Sequence, residues 1–179
     1  MKNKPIIACD MDEVVADVYD KFLNIYAERY GKRLVKEDYW GKKLYEIEGA
    51  TELRDVLYDK GFFADLPVME NSQEVLKELQ QDYEIFFVSA AMEFRNSLED
   101  KRDWAQQHFP FIPWKNIVFC GSKRIIRADY MIDDHVKNLV EFDGKGLLYT
   151  ATHNINDNRF TRVNNWLEIR EFFKENGRR

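Results

Sequence analysis

Two aspartates spaced one residue apart, Asp10 and Asp12, close the apolar run Pro5-Ile6-Ile7-Ala8-Cys9 near the start of this 179-residue chain. On an extended strand they share a face. At the C-terminal end of a strand in an open α/β sheet, that face looks into the crevice where ligands bind. Clustered carboxylates repel unless a cation or a proton joins them, so the pair is a candidate Mg²⁺ site with one carboxylate free as nucleophile or acid and base. Alone, the same Asp-x-Asp also suits a turn or a helix cap.

Three other apolar runs end in polar groups. Ile85-Phe86-Phe87-Val88 runs into Ser89, Ile117-Val118-Phe119-Cys120 into Gly121-Ser122-Lys123, and Tyr130-Met131-Ile132 into Asp133-Asp134. Parallel strands buried on both faces read as continuous apolar runs, and their C-terminal ends share one edge of the sheet. That edge collects Asp10, Asp12, Ser89, Lys123, Asp133 and Asp134, a set with acids for a hard cation, a hydroxyl and a fixed positive charge. It suits a phosphate ester.

In this order the motifs resemble those of the haloacid dehalogenase superfamily of phosphohydrolases. Within it, Asp10-Met-Asp-Glu-Val-Val-Ala-Asp17, Gly61-Phe-Phe-Ala-Asp-Leu66, Ser89-Ala-Ala-Met92, Phe119-Cys-Gly-Ser-Lys123, Ala128-Asp-Tyr-Met-Ile-Asp-Asp134 and Thr150-Ala-Thr-His-Asn154 together resemble the 5′(3′)-deoxyribonucleotidases. The resemblance spans nearly the whole chain. It implies a Mg²⁺-dependent phosphomonoesterase acting on deoxyribonucleoside 5′(3′)-monophosphates through an aspartyl-phosphate. Asp10 would be the nucleophile and Asp12 the acid and base. Asp10, the Asp12 carbonyl and Asp134 would hold the metal, with Asp133 acting through hydrogen bonds or water. Ser89 and Lys123 would hold the phosphate. Glu13 departs from the pattern, because many members carry Gly there; it sets a carboxylate near an anionic substrate.

The elements that must position these groups alternate between strand and helix, which predicts an α/β, doubly wound, mainly parallel Rossmann-like sheet. Phe22, Tyr26 and Tyr30 recur every four residues before Gly31, the mark of an amphipathic helix with a glycine stop. Asn71-Ser-Gln-Glu74 reads as a capping box opening a second helix. Further helices fit Glu93 to His108 and Asn165 to Lys174, the last burying Trp166, Ile169, Phe172 and Phe173. Residues 18–70 are too long for one crossover and mostly helical in pattern. The resemblance makes them a small helical cap inserted after the first strand, over a core of residues 1–17 and 71–179. Caps exclude water and choose substrates. Trp40 and Phe63 are the substrate-pocket candidates, because their surroundings resemble the substrate-facing parts of nucleotidase caps.

Composition fits a single enzyme domain with one sizeable core: 45% of residues are hydrophobic. No stretch of 18 apolar residues occurs, and Met-Lys-Asn-Lys leads directly into a strand, so neither a membrane span nor a signal peptide is expected and the cytoplasm is the default location. Cys9 and Cys120 are expected as buried free thiols, and His108, His135 and His153 show no zinc spacing with them. A net charge of −5 with interleaved signs argues against a polynucleotide partner and for a small ligand, which the resemblance makes a nucleotide. Arg124 and Arg127 lie beside Lys123 and read first as solvated helix residues. The oligomeric state is open, a homodimer included. The competing readings are a phosphatase of sugar or other small phosphomonoesters, and a receiver-like phosphoacceptor module. A receiver carries its phosphorylated Asp on a later strand, whereas here the first strand alone carries Asp-x-Asp.

Overall fold

The computed structural model describes residues 4–47 and 49–177. Six strands, β1 (Ile6–Cys9), β2 (Glu84–Ser89), β3 (Ile117–Phe119), β4 (Tyr130–Asp133), β5 (Lys145–Tyr149) and β6 (Thr161–Val163), form one parallel sheet in the order β3-β2-β1-β4-β5-β6. The chain winds outward from β1 through β2 to β3, then returns to β4 on the other side and winds through β5 to β6. The order therefore reverses between β1 and β4, where the crevice of an open sheet forms.

Strand alternation separates two cores. Ile7, Cys9, Ile85, Phe87, Ile132, Leu147 and Tyr149 enter the larger one, while Ala8, Val88, Met131 and Leu148 enter the smaller one on the opposite face. Helices α3 (Ser72–Leu79), α4 (Ser97–His108) and α6 (Trp166–Asn176) bury Leu76, Trp104, Trp166 and Phe173 in the larger core; α5 (Val136–Val140) covers the smaller with Leu139. The central strands β1, β2 and β4 thus have apolar neighbours above and below, which is why they read as apolar runs. Both cysteines are free and buried.

Several boundaries differ from the sequence expectation. No capping box forms at α3, because Asn71 adopts a left-handed backbone (φ 63°) and its side chain caps nothing. The helix expected from Glu93 begins at Ser97; Ala91–Glu93 is a separate 3₁₀ turn. Phe172 is half-buried, unlike Trp166, Ile169 and Phe173. β6 escaped prediction because Thr161 and Arg162 interrupt apolar character on a short edge strand.

Residues 18–70 fold as α1 (Val18–Tyr30), the single turn α2 (Lys36–Tyr39) and 3₁₀ segments at Leu44–Glu46 and Thr51–Tyr58. Gly31 ends α1 in the left-handed conformation (φ 64°), as expected of a glycine stop. The chain leaves and returns through adjacent segments: Asp17 N–H donates to the Pro67 carbonyl, Met69 N–H to the Val15 carbonyl, and Ala16 bridges Val68 antiparallel. Phe22 packs on Phe62, and Phe62 on Phe63, so the segment shares the larger core. The Trp104 indole pins it from α4, donating 2.7 Å to the Leu66 carbonyl.

Between β1 and α1 the chain turns through Glu13, whose φ of 61° explains why glycine suits this position. The Glu13 carboxylate accepts from Tyr19 N–H at 2.9 Å in the first turn of α1. Burial, aided by Asp17, pushes its carboxyl well above the usual range.

Trp104→Phe should leave the Leu66 carbonyl unpaired and a void behind it, lowering stability by about 2–4 kcal/mol in denaturant titration; an unchanged midpoint would remove the tether from the account. Glu13→Gln tests the buried acid. A raised folded pKa adds stability while pH is below the ordinary carboxylate range, and this is lost as pH rises toward the folded value. The variant, which mimics the protonated form, should therefore gain on wild type in Tm between pH 5 and pH 8. A pH-independent difference would contradict the assignment.

Candidate active site

Asp10 immediately follows β1 and is locked to β4, its N–H donating 2.9 Å to the Ile132 carbonyl. Asp133 ends β4 and Asp134 follows. The register between the two strands thus brings the three carboxylates to the switch point, where ligand atoms from Asp10, Asp133 and Asp134 lie within 4.8 Å of one another. Lys123, in the 3₁₀ turn after β3, reaches them with its Nζ 2.6 Å from Asp10 Oδ1 and 2.6 Å from Asp133 Oδ2. Burial opposes the Lys123 charge, but the two carboxylates more than offset this and hold its pKa above normal. The Asp10 carboxyl is raised by burial and by Asp133, and lowered by Lys123.

The two acids of the Asp133-Asp134 pair differ in what they touch. Asp133 is fully enclosed and fully bonded: it accepts from His135 N–H at 2.8 Å, from Asn138 Nδ2 at 3.0 Å and from Lys123. Asp134 is also buried, yet its Oδ1 has no hydrogen-bond partner. Burial and the neighbouring Asp10 and Asp133 raise its carboxyl well above the usual range. A buried carboxylate oxygen without a donor, beside two further acids, fits a hard divalent cation.

On the other wall, Ser89 ends β2 and is buried. Its Oγ accepts from Lys101 Nζ at 3.1 Å, and the same ammonium lies 2.5 Å from Asp12 Oδ2 and 4.4 Å above the Phe63 ring. Asp12 is the more open acid, with 32% of its side chain exposed. Lys101 was not anticipated, although the sequence held a clue. It shares a face of α4 with Ser97, Trp104 and Ala105, all buried, so a lysine occupies an apolar-face position.

These groups line a cavity of about 540 Å³, within the range of small-molecule sites, roughly 300–1,000 Å³. Asp10, Asp12, Ser89, Lys123 and Asp134 form its floor; Val18, Tyr19, Phe22, Tyr45, Leu57 and Phe63 line it from residues 18–70. Phe63 is thus among the residues lining the cavity. Trp40, the other pocket candidate, is not among its lining residues: it follows the one-turn helix α2, which buries no residue, and is 38% exposed with the Lys36 ammonium 3.7 Å from its ring centroid. Arg124 and Arg127 are exposed and outside this cavity. His135 and His153 both line it; burial, reinforced by Lys43, pushes their pKa values down to about 3 and about 4, so both are neutral at pH 7. Asn154 braces the floor, donating to the Asp134 carbonyl at 2.8 Å and the Tyr149 carbonyl at 2.7 Å.

Residues 4–176 match the family model described as 5′ nucleotidase, deoxy (pyrimidine), cytosolic type C. A Bacillus subtilis protein named 5′(3′)-deoxyribonucleotidase is 43% identical over 169 residues, covering 93% of this chain and 96% of its own; a protein of the same name from Bacillus phage SPbeta matches equally. Among solved structures, a haloacid dehalogenase-like hydrolase from Streptococcus pneumoniae superposes with TM-score 0.61 at 12% identity over 97% of this chain and all of that one. A haloacid dehalogenase family hydrolase from Deinococcus radiodurans, with bound phosphate and sodium, gives 0.57 at 16% identity over 97% and 96%. Sequence and fold together place the chain in the 5′ nucleotidase, deoxy (pyrimidine), cytosolic type C family, as a phosphomonoester hydrolase on the haloacid dehalogenase-like fold.

Proposed function

We propose that this enzyme hydrolyses deoxyribonucleoside 5′(3′)-monophosphates by transferring the phosphoryl group to Asp10 and then to water. The observation that carries the reading is the Asp10–Lys123–Asp133 constellation beside the unpartnered Asp134 Oδ1, opening into a cavity with an apolar wall. The relatives' names supply the nucleotide class.

Asp10 and Asp134, with the Asp12 carbonyl, would hold Mg²⁺, whose charge would neutralise the acids and the incoming phosphate. Lys123 holds Asp10 by one oxygen, leaving the other for in-line attack on phosphorus. The ester oxygen leaves with a proton from Asp12, which then accepts one from the hydrolytic water. In the free site Asp12 is tied to Lys101. A phosphate that draws the ammonium to its own oxygens frees Asp12 for the leaving oxygen while Ser89 and Lys123 hold the remaining charge. Residues 18–70 act as the cap. Phe22, Leu57 and Phe63 give the sugar an apolar wall, against which a ribose 2′-hydroxyl would lose hydrogen bonds worth about 1–3 kcal/mol, a deoxy preference of roughly ten- to a hundredfold. Among the described residues no helix is long and apolar enough to cross a membrane, and two free buried thiols fit a cytoplasmic enzyme.

A phosphate-release screen across deoxynucleotides, ribonucleotides and sugar phosphates tests the reading; a preference for sugar phosphates would favour the alternative substrate class. Asp10→Asn should remain folded and lose Mg²⁺-dependent turnover by more than about a hundredfold, and residual activity above that level would make attack by Asp10 untenable. Lys101→Met should lower kcat/KM by about two orders of magnitude, with Lys101→Arg recovering part of it. If Met were tolerated, Lys101 would be only a packing residue.

A further inference from the structure

His135 and His153 come from different loops, one just after β4 and the other in the 3₁₀ turn after β5, yet their rings stack at 4.4 Å, 29° from parallel. Both present Nε2 to the same atom: Asp134 Oδ2 lies 3.8 Å from that of His135 and 3.5 Å from that of His153. The His153 Nε2 is buried and bonds to nothing. The three side chains can supply ligand atoms within 4.8 Å of one another.

We propose that Asp134 Oδ2, His135 Nε2 and His153 Nε2 form a second cation site for a borderline-soft divalent ion of the Zn²⁺ or Co²⁺ class, with Asp134 bridging it to the hard-cation site. Ligands about 2.0–2.1 Å from a tetrahedral ion stand about 3.4 Å apart, close to the 3.5 and 3.8 Å from Asp134 Oδ2 to the two imidazole nitrogens; the third spacing, between the imidazoles, is within 4.8 Å. Neutral imidazoles offer lone pairs that Zn²⁺ and Co²⁺ accept well and Mg²⁺ poorly. His135 N–H donates to Asp133 and Asn154 braces the Asp134 carbonyl, so the backbone of two ligands is already fixed. Lys43, Lys137 and Lys123 oppose a cation here, whereas Glu46 and the Asp134 carboxylate facing both rings favour one. Binding itself stands apart from the proposed hydrolysis; the consequence, that this ion competes for Asp134 and slows Mg²⁺-supported turnover, rests on it.

The test is equilibrium dialysis of the intact chain against Zn²⁺ and Co²⁺ in millimolar Mg²⁺, with X-ray absorption and visible spectra of the Co²⁺ form. One ion per chain should be retained with imidazole nitrogen in its shell. His135→Gln and His153→Gln should each weaken it at least about tenfold, since loss of outer partners alone costs 10- to 100-fold. No retention in Mg²⁺, no nitrogen in the wild-type shell, or unchanged affinity in both variants would each overturn the site. Asp10→Asn separates the two readings: it should abolish hydrolysis and keep the Zn²⁺ or Co²⁺.

Discussion

Three carboxylates, Asp10, Asp133 and Asp134, are buried within a few ångströms of one another, and everything near the sheet's switch point answers to their repulsion. Desolvation and like charge both oppose ionisation. The protein supplies one permanent cation, Lys123, which is itself enclosed and spans Asp10 and Asp133. One ammonium cannot balance three acids. The uncompensated burden falls on Asp134, whose Oδ1 has no donor and whose carboxyl is raised well above the usual range by burial and the neighbouring acids. Breaking a buried pair by removing one partner typically costs about 3–5 kcal/mol, so Lys123 also serves folding.

The second wall is neutralised separately. Lys101 reaches from α4 to Asp12 and Ser89, so each aspartate that faces the cavity from the first motif has its own lysine. This division suits two different tasks. Asp10 is enclosed and held by Lys123, whereas Asp12 is more open, a difference that suits the proposed roles of nucleophile and of acid and base. Phe63 lies beneath the Lys101 ammonium and joins this arrangement to residues 18–70.

Geometry at the start of that segment also matters. The loop after β1 needs a left-handed residue, and Glu13 occupies it although glycine would be less strained. Its side chain compensates by accepting from Tyr19 N–H at the start of α1. The departure and return strands at residues 15–17 and 67–69 then fasten together, and Trp104 ties the far end to α4. The apolar wall of the cavity is thereby held over the acids from both sides.

Much of this was legible in the sequence, because a parallel strand buried on both faces writes itself as an apolar run and its C-terminal residue must lie at the binding edge. That logic alone brought Asp10, Asp12, Ser89, Lys123, Asp133 and Asp134 to one place, and aromatic periodicity with Gly31 found α1. Tertiary structure decided which of two adjacent aspartates is satisfied, since that depends on donors from Asn138 and Lys123. It also put Trp40 on the surface, paired Lys101 with Asp12 across 89 positions, and stacked His135 on His153. Side-chain periodicity records which face of an element is buried but not which distant side chain meets it there. Those lateral contacts arise only when strand order and helix packing are set, and they decide which charges are balanced and which remain to bind.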